Sequence, residues 1–233
     1  MKGYTYLIID LACIALPLIF SFYKERAFYK EWKYFLPVNF IVAILFLLWD
    51  SWFTSNGVWG FNEEYLTGIY LGNLPLEEVL FFICIPYACT FTYFALDWLL
   101  KEKPFQFAHN FFSGFLWIIS VIAIILFHDK SYTFYTALFL FIVVTLTIAV
   151  RKDISFLLLS YAVILPFFFL SNGILTGSFL ESPIVWYNNQ ENLGIRMFTI
   201  PLEDTFYGLL LVMCNILGYQ LLKNIYQKKT LKS

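Results

Sequence analysis

Seven apolar runs divide the chain, at residues 4–22, 34–53, 74–98, 111–128, 132–150, 154–172 and 197–222. Each is about 18–26 residues long, and ~20 residues of helix cross a ~30 Å hydrocarbon core. The spacing therefore predicts an all-α integral membrane protein with seven transmembrane helices. Pro17, Pro37, Pro86 and Pro166 fall inside runs. Helices in lipid tolerate proline when neighbours satisfy the freed carbonyls. The first run is too long for a signal-peptide core and lacks a small-residue cleavage site. Two of the connecting segments, 54–73 and 173–196, are long, rich in Gly, Asn and aromatic residues and nearly free of Lys and Arg. Long loops of this kind are often functional lids.

The cations set an orientation. With the N-terminus outside, the inner segments hold Lys24, Arg26, Lys30, Lys33, Lys101, Lys103, Arg151, Lys152, Lys223, Lys228, Lys229 and Lys232. These are twelve of the fifteen basic residues; Lys2, Lys130 and Arg196 stay outside. Cytoplasmic loops carry the excess of Lys and Arg, so an odd helix count with the C-terminus inside is expected, in the inner or plasma membrane. The basic tail serves as a topology signal.

The polar positions repeat. Pro75-Leu76-Glu77-Glu78 opens the third run, and Pro201-Leu202-Glu203-Asp204 opens the seventh, 126 residues later. Trp59-Gly60-Phe61-Asn62 and Trp186-Tyr187-Asn188 precede them at similar distances. Asp50 with Thr54 and Asn172 with Thr176 share a spacing of four at the ends of helices two and six. Ser55-Asn56-Gly57 also matches Ser171-Asn172-Gly173, but that register needs a larger change in loop length. The division expected is a three-helix repeat at 1–100, a linking helix at 101–130 and a second three-helix repeat at 131–233. Three crossings and one linking helix give both units the same orientation, a parallel repeat about an axis along the membrane normal.

Composition removes most other classes. Hydrophobic residues make up 61% and charged residues 13%, against roughly half and a quarter in soluble domains. The 28 Phe, 16 Tyr and 7 Trp exclude a solvated coil, and a net charge of -1 gives no field for nucleic acid. Cys13, Cys84, Cys89 and Cys214 all lie in apolar runs with no Cys-x-x-Cys pair, so neither a disulfide framework nor a zinc site is expected. Gly-x-Gly-x-x-Gly, a phosphate loop, a His/Cys metal cluster and Asp-rich diphosphate–magnesium motifs are missing, and the seventh run has no Lys for a retinal Schiff base. No cofactor and no metal are expected. His109 and His128 flank helix four without companions.

Ionisable residues in membrane helices are costly and mark function by default. Here they come in adjacent pairs, twice. Proline suits the first helical turn, and carboxylates two and three residues later meet the positive end of the helix dipole. Adjacent helical residues point ~100° apart, so one acid of each pair faces a cavity while the other supports it. Glu is kept at both first acidic positions, so Glu77 and Glu203 are expected to reach the cavity, with Glu78 and Asp204 assisting. Asp50 and Asn172 are supporting candidates. Arg196, seven residues before Glu203, is expected to pair with the second motif. Asp97 reads as an interfacial residue at the inner end of helix three.

The run from Trp49-Asp50 through Trp59-Gly60-Phe61-Asn62 to Pro75-Leu76-Glu77-Glu78, followed by Arg196 to Asp204, resembles the membrane-integral lycopene cyclases. That family includes bacterial heterodimeric, archaeal fused and fungal bifunctional forms, and this chain resembles the fused form. The resemblance covers nearly the whole chain. It implies a lycopene beta-cyclase acting through γ-carotene with no net redox change, with Glu77, Glu78, Glu203 and Asp204 as catalytic carboxyls. The partners implied are lycopene and membrane lipid. Two alternatives stand beside it: a small transporter with intramembrane carboxylates, and a cyclase acting on C50 carotenoids.

Overall fold

The structure is a computed structural model and describes residues 2–100 and 109–230. Among the described residues there are seven α-helices: α1 (Thr5–Phe20), α2 (Trp32–Ser55), α3 (Leu76–Leu99), α4 (His109–Leu126), α5 (Ser131–Ala149), α6 (Ser155–Leu175) and α7 (Leu202–Thr230). By length and composition α1 with the turn before it, α2, α3, α5, α6 and α7 can each cross a membrane. The apolar stretch of α4, Phe111–Leu126, is shorter and lies along α5. Lys101, Lys103 and Lys232, assigned above to the inner face, lie outside the described residues.

The helices turn their apolar side chains outward. Ile8, Leu11 and Ile19 on α1, Phe40, Ile41 and Ile44 on α2, and Phe111, Phe115 and Ile125 on α4 are all exposed. Polar side chains such as Asp10, Asn39, Asp50, Thr90 and Asn215 are buried. This inversion of the soluble pattern fits a bundle whose solvent is lipid. The central packing joins α2 to α7 and to α3, where Asn39 donates to Asn215 (3.2 Å) and to the Phe82 carbonyl (3.3 Å).

The two long loops lead through the only strands among the described residues, which the pattern of apolar runs does not predict. β1 (Trp59–Phe61) pairs antiparallel with β4 (Val185–Tyr187), tying one loop to the other. Two hairpins, β2 (Tyr70–Leu71) with β3 (Leu74–Pro75) and β5 (Arg196–Met197) with β6 (Ile200–Pro201), lead into α3 and α7. Each hairpin delivers its proline at the helix start, where the missing N–H costs nothing.

These contacts are symmetric between the halves. Leu76 N donates to Ile69 O, as Leu202 N does to Ile195 O, each pair 126 residues from the other. In the strand pairing Gly60 opposes Trp186, while Trp59 opposes Tyr187 and Phe61 opposes Val185. A shift of 126 residues maps that pairing onto itself, so a local two-fold axis passes between Gly60 and Trp186. Gly60 is needed there because a Cβ would run into the Trp186 indole. The helix ends before the strands follow a second offset. Val58 N donates to Phe53 O and Ile184 N to Leu175 O, so Phe53 matches Leu175 and the second loop carries four more residues. The same register matches Asp50 to Asn172, whereas the Ser-Asn-Gly register does not.

Lys2 bridges Glu64 of the first loop and Glu181 of the second, each at 2.9 Å. The start of α1 and both loops therefore share one face of the bundle. At the opposite face Arg26 meets Asp97 at 3.8 Å and Lys223 meets Glu31 at 2.7 Å. Surface pairs of this kind add little stability, but they group the chain ends by side.

Candidate active site

The first turns of α3 and α7 carry the four motif carboxyls into the bundle, and all four are buried. The two members of each pair differ in direction. Glu77 turns toward the preceding loop, where its Oε1 accepts from Thr67 N at 2.6 Å. Glu203 does the same with Leu193 N at 2.7 Å and also accepts from the Thr133 hydroxyl at 2.6 Å. A carboxylate that accepts a backbone N–H makes a strong, short bond. These two acids pin the loops against the helix starts.

Glu78 and Asp204 point about a third of a turn away and line a cavity of about 620 Å³. This reverses the expectation that Glu77 and Glu203 reach the cavity; the loop amides at residues 67 and 193 take those two side chains instead. Glu78 accepts from the Tyr6 hydroxyl at 2.5 Å and lies against the Asp50 carboxyl. Asp50 accepts from the Trp59 indole N–H at 2.5 Å and from the Thr54 hydroxyl at 3.2 Å, leaving Oδ2 without a donor. Asp204 accepts from Tyr132 on one oxygen (2.6 Å) and from Asn172 (2.7 Å) and Tyr187 (3.0 Å) on the other. Burial, and next the Asp204 charge, hold the Tyr187 phenol well above its ordinary range, so it stays a donor.

The two half-sites thus share a plan but not a chemistry. Tyr6 and Tyr132, 126 residues apart, serve Glu78 and Asp204 in the same way. Behind them, an acid faces Glu78 where an amide faces Asp204. Asp10, fully buried on α1 beside Glu77, adds another carboxyl to the first half; its counterpart is Thr136. Aromatic rings bridge the halves. Trp59 packs edge-on against Tyr132 (5.1 Å between centroids) and Tyr187 (6.1 Å), and Tyr207 lies 6.0 Å from Tyr132 and 6.1 Å from Trp59. All four rings line the cavity.

Arg196 does not pair with Glu203. Its guanidinium donates to Thr199 O (2.7 Å) and to the Asn189 side chain (2.9 Å), and it sits over the Tyr187 ring. The β5–β6 hairpin points it away from the acids, so it braces the loop. Asp97 lies at the opposite face with Arg26, as expected of an interfacial residue. Tyr6, Tyr132, Thr133, Tyr207 and Asp10 join the site without belonging to any of the motifs above, whereas Tyr187 lies in the repeated Trp186-Tyr187-Asn188 motif. The 126-residue offset of the acid motifs, carried back to Tyr6 and Tyr132, was the signal available for the tyrosines. An acid inside the first apolar run was the signal for Asp10.

A membrane helix bundle with buried acid pairs around an apolar, aromatic-lined cavity is the kind of protein this geometry defines. Residues 3–96 and 129–222 each match the family model described as lycopene cyclase, at the same 126-residue offset, and the chain belongs to the lycopene cyclase family of carotenoid biosynthesis. It is 28% identical over 107 residues to the bifunctional lycopene cyclase/phytoene synthase of Pyrenophora tritici-repentis (strain Pt-1C-BFP), a match over 45% of this chain and 18% of that protein. The chain therefore matches less than a fifth of the length of this curated relative. No solved structure matches the chain.

Proposed function

We propose that the chain is a lycopene beta-cyclase that converts lycopene to β-carotene through γ-carotene by acid–base chemistry in the cavity between the two repeats. The observation that carries this reading is that Glu78 and Asp204, one from each motif, line the same apolar space with different hydrogen-bond partners. Asp50 and Glu78 are two carboxyls in contact, and one proton held between them supplies the donor that Asp50 Oδ2 lacks. That pair is the acid, and Glu78 delivers the proton because it faces the cavity. Asp204 receives three hydrogen bonds from neutral donors, so both of its oxygens act as acceptors, which is the role of the base.

The reaction balances without electrons. Glu78 protonates the terminal C1=C2 alkene, the cation closes a six-membered ring, and Asp204 removes a ring proton. The proton then returns to the acid pair through water. Trp59, Tyr132, Tyr187 and Tyr207 present aromatic groups to the cation, each worth ~0.5–2 kcal/mol when suitably placed. The apolar walls keep water from quenching it. Glu77, Glu203, Asn172 and Arg196 position loops and carboxyls. Purified protein in lipid vesicles should cyclise lycopene without flavin or NAD(P)H. An absolute requirement for either would end this reading.

The repeat units 1–100 and 131–233, joined by the helix within 101–130, supply one half-site each. Seven crossings, with Lys2 and both long loops outside and the C-terminus inside the plasma membrane, accord with the twelve-to-three split of cations. Reporter fusions after Lys33 and Ser233 should read as inside, and fusions in 54–73 as outside. A tag after Ser233 that an impermeant reagent reaches from outside would contradict the orientation.

A further inference from the structure

The two-fold plan predicts two equivalent slots leading from the lipid to the acids, and among the described residues the two gaps are lined differently. The cavity runs between α1, α3, α6 and α7. Along α1 its lining extends from Tyr6 to Phe20, which at ~1.5 Å per residue is about 21 Å. It is an elongated space parallel to the helices, with Glu78 and Asp204 at its loop-side end. Leu16 and Phe20 on α1 and Phe167 and Leu170 on α6 both line it and stand exposed on the bundle exterior, so the slot opens sideways between these helices. The side chains that line it at mid-height are small or aliphatic: Cys13 beside Ser171, with Ile9 and Ile174 in one apolar cluster.

The matching gap lies between α5 and α2. The 126-residue offset maps Cys13 to Phe139 and Ile9 to Tyr135. The register fixed by Phe53 and Leu175 maps Ser171 to Trp49 and Ile174 to Trp52. All four replacements are aromatic, and they interlock. Trp49 packs on Phe139 with centroids 4.8 Å apart and on Tyr207 at 5.0 Å; Trp52 packs on Tyr135 at 4.9 Å. Rings fill the second gap at the heights where the first holds only small or aliphatic side chains.

We propose that the α1/α6 slot is the lateral entry and binding groove for one end of an extended apolar polyene, and that the α2/α5 gap is permanently closed by its four rings. This rests on the cyclase reading for the identity of the occupant. A linear polyene matches the slot in shape, in apolar lining and in reach, since its tip arrives between Glu78 and Asp204 while its remainder stays in lipid. One open slot also means one ring closed per visit. The monocyclic product must withdraw and re-enter by its other end before the second ring forms.

The test adds bulk to each gap separately. Ser171→Trp and, from the facing helix, Cys13→Phe place in the open slot the rings found at the equivalent sites. Leu48→Trp, on the lipid face of α2 at the position matching Leu170, is the control. Lycopene in vesicles is achiral and gains a circular-dichroism band in its visible absorption only when held in the protein. Wild type and Leu48→Trp should show the band and cyclise equally. Ser171→Trp and Cys13→Phe should insert at wild-type level, lose the band and lose about 10²-fold or more in rate. Either slot variant retaining both band and rate would overturn the proposal, and so would an equal loss in Leu48→Trp. A wild-type band that Ser171→Trp abolishes, without any cyclised product, would sink the cyclase reading and leave the slot standing.

Discussion

Glu78→Gln and Asp204→Asn should each lose about 10²–10⁴-fold in cyclisation rate, the usual range for removing a general acid or base. Each change keeps the shape of the side chain and most of its hydrogen bonds. The amide oxygen left at position 78 still accepts from Tyr6, and the one left at position 204 still accepts from Asn172 and Tyr187, so the bundle should insert and fold as before. Glu77→Gln and Glu203→Gln should be much milder. The side-chain oxygen that accepts from Thr67 N or Leu193 N survives the change, and neither residue lines the cavity. Rates measured in vesicles at matched protein level check the contrast. Near-normal turnover in Glu78→Gln beside a dead Glu77→Gln would reverse the assignment and restore the first acids to the chemistry.

Asp50→Asn should be nearly as damaging as Glu78→Gln, by about 10²-fold or more, although Asp50 does not line the cavity. The change copies into the first half-site the amide that faces Asp204 in the second. With an amide in place of Asp50, no proton is shared behind Glu78, and both half-sites become acceptors. The new amide oxygen can still accept from Trp59 and Thr54, so a purely structural role predicts little loss. Asn172→Ala should have a smaller effect, because Asp204 keeps two of its three donors, Tyr132 and Tyr187. A substitution at Asp50 that leaves the rate intact would mean that Glu78 acquires its proton by another route.

Much of the fold was legible because lipid imposes a simple rule. A run of ~20 apolar residues with its backbone bonded internally has few alternatives to a helix. The seven runs lie within a few residues of the seven helices, apart from α7, whose last turns extend past the apolar run to Thr230. Those turns carry Lys223, Lys228 and Lys229 and need no apolar face. The strands were not legible. Two or three residues per strand leave no alternation to read, and β1 finds its partner more than a hundred residues away. The motif acids were legible as a repeated pair, but not which of each pair faces inward. That depends on loop amides at residues 67 and 193, and hairpin geometry places those. Arg196 shows the same limit, since seven residues of chain spacing said nothing about the turn that directs it to Thr199 and Asn189.

The central claim is that a proton from the Asp50–Glu78 pair enters the product while another leaves to Asp204, with no electron transferred. Cyclisation by the purified protein in D₂O, without flavin or NAD(P)H, tests it most directly. The acid pair exchanges with solvent between turnovers, so mass spectrometry should find one deuterium for each ring formed, with γ-carotene carrying one and β-carotene two. Cyclic product that forms in D₂O without deuterium, or that forms only when a reductant is present, would contradict the account.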